Sequence, residues 1–192
     1  MTPAPKLRVV PVALLVAVVA MAAAVPPRAV AADEPPEVAR AEGLLRGITK
    51  ADRDAKLKDW ADLDALGRRS DAVRDRLAAF ARDESSDAEP FARYVAATVV
   101  AGFGRPTRIG PNSLSPGTRL SWYIDLQRGT PVSGPRRLGL DPSLKDLQVE
   151  VPPNAANDLT FAEILWTILD RHHLAFRLDP NGTFLILPPP SA

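Results

Sequence analysis

Residues 159–172 carry the clearest pattern of apolar and polar positions in the chain. Apolar side chains recur there every three or four residues, which predicts a helix with one wide apolar face. These side chains are Phe161, Ile164, Leu165, Ile168 and Leu169. Thr160 and Glu163 match a capping box, in which each side chain accepts a hydrogen bond from the backbone amide of the other residue. We therefore expect a helix with Thr160 as its N-cap and a buried apolar face.

Strand patterns flank this helix on both sides. Residues 147–151 and 174–178 alternate between apolar and polar side chains, and residues 184–187 form a short apolar run. The turn sequence Asp-Pro-Asn-Gly at residues 179–182 separates the last two segments. The pattern predicts a strand, the helix, a strand, a tight turn and a strand, in that order.

The N-terminal half has a helical composition. No proline occurs between residues 37 and 89, and that stretch is rich in alanine, leucine, arginine, aspartate and glutamate. We predict three helices there, with breaks near residues 47–49 and 67–70 and with Ser70 as the N-cap of the third helix. A fourth helix is expected to begin at Pro90, because proline is tolerated at the first helical position.

Residues 115–129 fit two patterns. Apolar and polar side chains alternate over residues 120–127, as they do in a strand. Ser115 and Pro116 instead suit the start of a helix, and the arginine–glycine pair at the end of the segment suits its C-terminus. The spacing of the apolar residues leaves both interpretations open.

Together these patterns predict an α+β fold in which a helical region precedes a small β-α-β-β domain. A stretch rich in proline, glycine, serine and threonine separates the two parts, as is typical of a connector. The predicted organisation is a signal peptide at residues 1–31, a helical region at 32–104, an α/β domain at 105–188 and a tail at 189–192.

The first 31 residues have the three parts of an export signal. Lys6 and Arg8 give a basic start, an apolar run follows at residues 9–24, and residues 29–31 read Ala-Val-Ala, as at a signal peptidase site. We predict cleavage after this site, no stable membrane span afterwards, and a periplasmic or secreted protein. An uncleaved anchor is the alternative. It is disfavoured because the run is shorter than the roughly 20 apolar residues that span a bilayer and contains Pro11.

Cleavage changes the charge balance of the chain. It removes three of the 24 lysine and arginine residues and none of the 23 acidic residues, which leaves a net charge of −2. A near-neutral chain with interspersed charges lacks the basic face that nucleic acid requires, so we expect no nucleic-acid partner. The chain has no cysteine, which excludes disulfides and a thiolate nucleophile.

The C-terminal sequence resembles a known family. The apolar helix at residues 159–169, the Leu-Ala-Phe-Arg sequence at 174–177 and the Leu-Ile-Leu run at 185–187 are similar to the second half of the secretin and TonB short N-terminal domain. The match extends over residues 138–188. It consists mostly of core positions, so it indicates a fold more strongly than a function.

The resemblance has implications for the rest of the domain. It implies that residues 115–129 form a helix and that a strand follows. His173 occupies a position where the family usually has a turn glycine, and a positive φ costs another residue about 1 kcal/mol or more, so a different turn is expected. Family members usually lie at the periplasmic end of a secretion pore or a transporter barrel. No pore or barrel follows residue 188, so the resemblance implies an exported domain that packs against another envelope protein.

No residue pattern points to catalysis, a metal or a cofactor. His172 and His173 are the only histidines, and neighbouring residues of a helix point about 100° apart, so the two cannot share one metal ion. Their expected role is to complement the negative end of the helix dipole. We predict a non-enzymatic protein without catalytic, metal-binding or cofactor-binding residues.

Two tryptophans are candidate partner-binding residues, Trp166 at the border of the predicted apolar face and Trp122 in the ambiguous segment. Tryptophan is enriched among the residues that dominate binding interfaces, although Trp166 can equally cover the edge of the sheet. We predict an interaction module whose partner is an envelope protein. The alternatives are a helical oligomerising scaffold and a protein that binds a small ligand or glycan in a cleft beside Trp166.

Overall fold

The computed structural model of the chain describes five segments. They are residues 35–84, 89–104, 117–128, 137–150 and 159–190. The predicted signal peptide, the predicted connector and Val151 of the first predicted strand lie outside the described residues.

Four helices occupy the first two segments, as the composition predicts. Helix α1 spans Pro36–Ile48, α2 Arg53–Arg69, α3 Asp71–Arg82 and α4 Pro90–Val100. Ser70 is the N-cap of α3, since its hydroxyl accepts a hydrogen bond from the Val73 amide at 3.4 Å. Pro90 occupies the first position of α4. No helix in the described part of the chain is long and apolar enough to cross a membrane.

The ambiguous segment is helical, as the resemblance implies. Helix α5 spans Leu120–Arg128 and follows a short strand, β1, at Thr118–Arg119. The helix begins later than the predicted start at residues 115–116, which lie outside the described residues. The physical reason is strand pairing, because β1 lies antiparallel to a second short strand, β3, at Gln148–Val149.

Helix α6 spans Phe161–Arg171 and is the helix predicted from the apolar pattern. Its capping box is confirmed. The Thr160 amide donates to Glu163 Oε2 at 2.8 Å, and the Glu163 amide donates to Thr160 Oγ1 at 3.3 Å. The five predicted apolar side chains are all buried.

Helix α6 ends in a turn through His173, whose φ is 53°. The Leu174 amide donates to the Leu169 carbonyl at 2.9 Å, and the His173 amide donates to the Asp170 carbonyl at 3.2 Å. These two hydrogen bonds form a Schellman motif. Contrary to the expectation from sequence, the histidine takes the left-handed conformation that a glycine would take, because the motif holds it there.

The remaining strands form a three-stranded sheet. It consists of β2 (Leu138–Leu140), β4 (Ala175–Leu178) and β5 (Phe184–Leu187), in the order β2-β5-β4. Strand β4 is antiparallel and β2 is parallel to β5. The strand predicted at residues 147–151 contributes only β3 within the described residues, and β3 pairs with β1 rather than joining this sheet. The long crossover through α6 allows β2 to be the parallel partner of β5.

The predicted hairpin turn at residues 179–182 is confirmed. Gly182 has a φ of 79°, and its amide donates to the Asp179 carbonyl at 2.9 Å. The Thr183 amide donates to Asn181 Oδ1 at 3.0 Å. Glycine suits this position because the left-handed conformation costs it nothing.

The helices and the sheets share one core, and the predicted α+β class is confirmed. The described residues between 35 and 190 belong to one compact unit, which includes both sides of the boundary predicted at Gly104. The Phe103 ring lies 5.6 Å from the Phe161 ring and 5.3 Å from the Phe184 ring. A Cβ at Gly104 would lie 2.8 Å from the Cα of Val99, so the chain is tightly packed at this boundary.

Candidate interaction surface

Tyr94 of α4 lies at the centre of an aromatic cluster that joins the helices to the three-stranded sheet. Four rings surround it at centroid distances of 5.0–5.9 Å, those of Trp60, Trp166, Phe176 and Phe184. The Tyr94 hydroxyl donates to the Ala162 carbonyl at 2.8 Å. Burial, and secondarily the nearby Tyr123 hydroxyl, raises the pKa of Tyr94 well above its ordinary value. The hydroxyl therefore stays protonated and remains a hydrogen-bond donor to α6.

Trp166 is half-buried on α6, and its ring packs against α4. Its centroid lies 5.3 Å from that of Phe91 and 5.0 Å from that of Tyr94. Aromatic pairs at such distances contribute about 0.5–1.5 kcal/mol beyond the burial of their area. Trp166 thus has partners within its own chain, and its remaining surface lines two grooves.

The larger groove, here called the edge groove, lies between the first turn of α4, the C-terminal end of α6 and the start of β4. Its volume is about 650 Å³. Its lining includes the charged, aromatic and apolar side chains of Glu84, Arg93, Trp166, Leu169, Asp170 and Phe176. Arg93 Cζ lies 5.9 Å from the Phe176 ring centroid, in cation–π geometry. The groove therefore combines aromatic surface with charges of both signs.

The smaller groove, here called the cap groove, lies at the N-terminal end of α6 on the other side of Trp166. Its volume is about 400 Å³. Arg53 Nε lies 2.8 Å from Glu163 Oε1, and Lys56 Nζ lies 5.4 Å from the Phe91 ring centroid. Two of its charges are thus engaged in an ion pair that joins α2 to α6.

The pKa of Glu163 in the cap groove is set by opposing effects. Burial acts to raise the pKa, but hydrogen bonds from Arg53 and from Thr160, together with the charge of Arg53, outweigh it. The net result is a pKa below the ordinary value of 4.5, so Glu163 is ionised at neutral pH. The carboxylate caps α6 and holds Arg53, which makes its role structural.

Trp122 lies on the outward side of α5 and is 49% exposed, the one large apolar side chain that is exposed among the described residues. Its neighbours Tyr123 and Ile124 are fully buried and hold the helix on the core. The structure therefore does not bring the two candidate tryptophans together. Trp122 faces solvent on α5, whereas Trp166 packs against α4. Large exposed aromatic side chains are typical of binding surfaces.

The third tryptophan, Trp60, and the two histidines lie in structural positions. Trp60 is 1% exposed, and its indole N–H donates to Thr98 Oγ1 at 3.0 Å. His172 is the C-cap of α6 and His173 follows it, at the end of the helix where the dipole favours a positive charge. Among the described residues, no group of three or more histidine, cysteine, aspartate or glutamate side chains could hold a metal ion.

Two residues that connect the two halves of the chain, Tyr94 and Arg82, were not predicted from the sequence. Arg82 of α3 donates to the carbonyls of Asp179 at 2.9 Å and Pro180 at 3.3 Å, which fixes the hairpin turn to the helices. Both contacts join residues far apart in sequence. Tyr94 is one of several apolar positions on α4, and Arg82 is one of many arginines, so no local signal distinguishes either.

Comparison of the chain with protein-family models, with curated proteins and with solved structures finds no match.

Proposed function

We propose that the chain is an exported, non-enzymatic interaction module of the bacterial cell envelope, built on a domain similar to the secretin and TonB short N-terminal domain. The order of elements from β1 to β5 is the observation that carries this proposal. Helix α5 and strand β2 come first, and the unit β3-α6-β4-β5 follows them, in the order that the resemblance implies. The signal-like sequence of residues 1–31 supports export.

The proposed partner is an envelope protein that contacts the open side of α5. Trp122 is the natural anchor for such a contact, because it is large, aromatic and exposed while its helix is firmly packed. A rigid helix presents such an anchor at little cost in conformational entropy, which favours binding. Trp166 can contribute only through the part of its ring that lines the grooves.

Site-specific photo-crosslinking in living cells tests this proposal. A photoreactive amino acid replaces Trp122 in one variant and Asp75, an exposed residue of α3, in the matched control. We expect a discrete crosslinked band from position 122, absent at position 75, and mass spectrometry identifies the protein in it. Equal crosslinking patterns at the two positions, or crosslinks to cytoplasmic proteins alone, would contradict the proposal.

A second candidate function is the binding of a small ligand or glycan, and the edge groove favours it. Its volume of about 650 Å³ lies within the range of ligand pockets, about 300–1,000 Å³. Its aromatic and charged lining offers both stacking surface and hydrogen-bond partners. Thermal-shift measurements with envelope-derived saccharides separate the two candidates, because a saccharide that binds the folded chain raises its melting temperature without any protein partner.

A further inference from the structure

We propose that the outer edge of β4 binds an extended, basic segment of a partner protein, which adds to the sheet as a further strand within the edge groove. This inference rests on the proposed interaction function and specifies the chemistry of the partner. Strand addition requires an open sheet edge, adjacent surface for alternate side chains, and charges that select the incoming sequence.

The first requirement is met by the hydrogen-bonding pattern of β4. The Asp179 amide donates to the Thr183 carbonyl at 2.9 Å, so these two residues form a hydrogen-bonded pair in register with the β4–β5 ladder. Hydrogen-bonded pairs occur at every second position of an antiparallel ladder, so the Arg177–Leu185 pair is of the same kind. The backbone groups of Phe176, one residue earlier, must therefore point away from β5.

The outward groups of β4 differ in whether they have partners. The Leu178 carbonyl accepts a hydrogen bond from Arg82 Nε at 3.4 Å, which closes that end of the strand. The amide and carbonyl of Phe176 have no hydrogen-bond partner among the described residues. Phe176 lines the edge groove together with Leu174 and Ala175. One donor and one acceptor of a strand edge are thus available at this groove.

The second requirement is met by the apolar surface of the groove. Trp166 and Leu169 of α6 line it beside the strand edge. Successive side chains of an added strand point to opposite sides, so every second side chain of the segment can contact this apolar surface. A saccharide offers no regular series of amides to pair with Phe176, which favours a polypeptide as the occupant.

The third requirement is met by the charges of the groove. Glu84 and Asp170 line it, and neither carboxylate has an ion-pair partner among the described residues. Arg93 is the one lysine or arginine among the described residues of the lining, and it lies over the Phe176 ring. Asp170 also lies in the last turn of α6, where the helix dipole disfavours a negative charge. The excess of carboxylates fits a segment with lysine or arginine at alternate positions.

The test uses the full chain and a labelled seven-residue peptide that alternates valine and lysine. Fluorescence polarisation measures its affinity, and amide hydrogen exchange reports on Phe176. We expect saturable binding and slower exchange of the Phe176 amide in the complex. A peptide with N-methylated amides on its pairing edge should bind about tenfold more weakly or worse, because it cannot form the backbone hydrogen bonds. A valine–glutamate peptide should bind more weakly still.

Matched protein variants locate the site. Asp170→Lys should weaken binding of the valine–lysine peptide by about three- to tenfold. Asp75→Lys on α3 makes the same charge change away from the groove, and it should change the affinity for the peptide by less than about twofold. Equal effects of the two variants, equal binding of the N-methylated peptide, or an unchanged exchange rate of the Phe176 amide would overturn the proposal. Sedimentation that shows a dimer weakened by Asp170→Lys would overturn it in favour of a second copy of the chain.

The outcome is separable from that of the proposed function. A chain that crosslinks to an envelope protein through position 122 but does not bind the peptide would overturn this inference alone. A chain that binds the peptide at Phe176 but gives no specific crosslink from position 122 would overturn the role assigned to Trp122 and keep the strand edge as the interaction site.

Discussion

Helices α5 and α6 each carry a tryptophan beside a buried apolar stripe, and the two tryptophans differ in what covers them. On α6, the ring of Trp166 packs against Phe91 and Tyr94 of α4. On α5, Trp122 is 49% exposed, although Tyr123 and Ile124, the two residues that follow it, are buried. The N-terminal helices thus cover one of the two helices and leave the outward side of the other open.

This difference shows that position on an amphipathic helix does not decide the role of a large aromatic residue. The sequence makes both tryptophans candidate anchors, Trp166 by its place at the border of the apolar face and Trp122 as a large aromatic residue of the ambiguous segment. The distinction comes from α4, which lies more than 60 positions before Trp166 in the chain. A helix from another part of the chain has taken the place on α6 that a partner protein could otherwise occupy.

The largest effect is expected when Tyr94, the centre of the aromatic cluster that packs α4 against α6, is removed. Tyr94→Ala should lower the free energy of unfolding by about 3–5 kcal/mol, because it opens a cavity among four aromatic rings. Urea titration followed by far-UV circular dichroism and by tryptophan fluorescence measures it. The two signals should shift together, since the helices and the sheet share the core.

Tyr94→Phe is the control for this change, because it keeps the ring and removes only the hydroxyl. It leaves the Ala162 carbonyl without its donor and should cost about 1–2 kcal/mol. If Tyr94→Ala shifted the fluorescence transition and left the circular dichroism transition in place, the two halves would unfold separately.

A smaller effect is expected at the covered tryptophan. Trp166→Ala should lower the free energy of unfolding by about 2–3 kcal/mol, less than a fully buried tryptophan loses, because part of the ring already lies open in the grooves. Thermal and urea unfolding measure it. A change below about 0.5 kcal/mol would mean that the contact with α4 contributes little and that Trp166 is available to a partner.

The ion pair in the cap groove should make stability depend on pH in a defined direction. The folded-state pKa of Glu163 lies below its ordinary value of 4.5, so its carboxylate stabilises the fold above that pH. The contribution is lost as the pH falls below 4.5 and through the folded pKa. Glu163→Gln should therefore be less stable than the wild type at pH 7. The difference in their free energies of unfolding should shrink as the pH falls below 4.5.

Arg53→Met is the matched variant, because it removes the partner that does most to lower the pKa of Glu163. Arg53→Met should make the free energy of unfolding depend less on pH below pH 4.5. A difference between wild type and Glu163→Gln that stayed constant from pH 7 to pH 3 would show that the carboxylate charge is not the source of the stabilisation.

The smallest effect is expected at the open tryptophan. Trp122→Ala should change the free energy of unfolding by no more than about 0.5 kcal/mol, because exposed side chains contribute little to stability. Thermal and urea unfolding of the Trp122→Ala variant measure this change. A loss as large as that of Trp166→Ala would show that both tryptophans belong to the core, and the open side of α5 would no longer be a candidate surface.

Much of the fold follows from local signals in the sequence. The capping box of Thr160 and Glu163, the N-cap at Ser70 and the turn at Gly182 each use hydrogen bonds between residues at most three positions apart. Because both partners of each hydrogen bond lie in the same short stretch of sequence, these caps and turns can be predicted without knowing the rest of the structure.

The features that escaped prediction all depend on distant residues. The start of α5 is displaced because Thr118 pairs with Val149, and the parallel pairing of β2 with β5 joins Leu138 to the distant Phe184. For the candidate surface, the sequence names both Trp122 and Trp166 as candidates, and the packing of Tyr94 against α6 shows which of them is covered. Periodicity identifies a face that must be covered, but it does not identify what covers it.

The aromatic cluster around Tyr94 also affects when the chain can fold. Tyr94 and its acceptor, the Ala162 carbonyl, are 68 positions apart, and Phe184 lies later still. A ribosome adds about 5–20 residues per second, so α4 is complete for several seconds before its partners on α6 and β5 are synthesised. During that interval the apolar faces of the four helices lack their aromatic partners. Newly made chains should therefore bind chaperones until α6 and β5 have been synthesised.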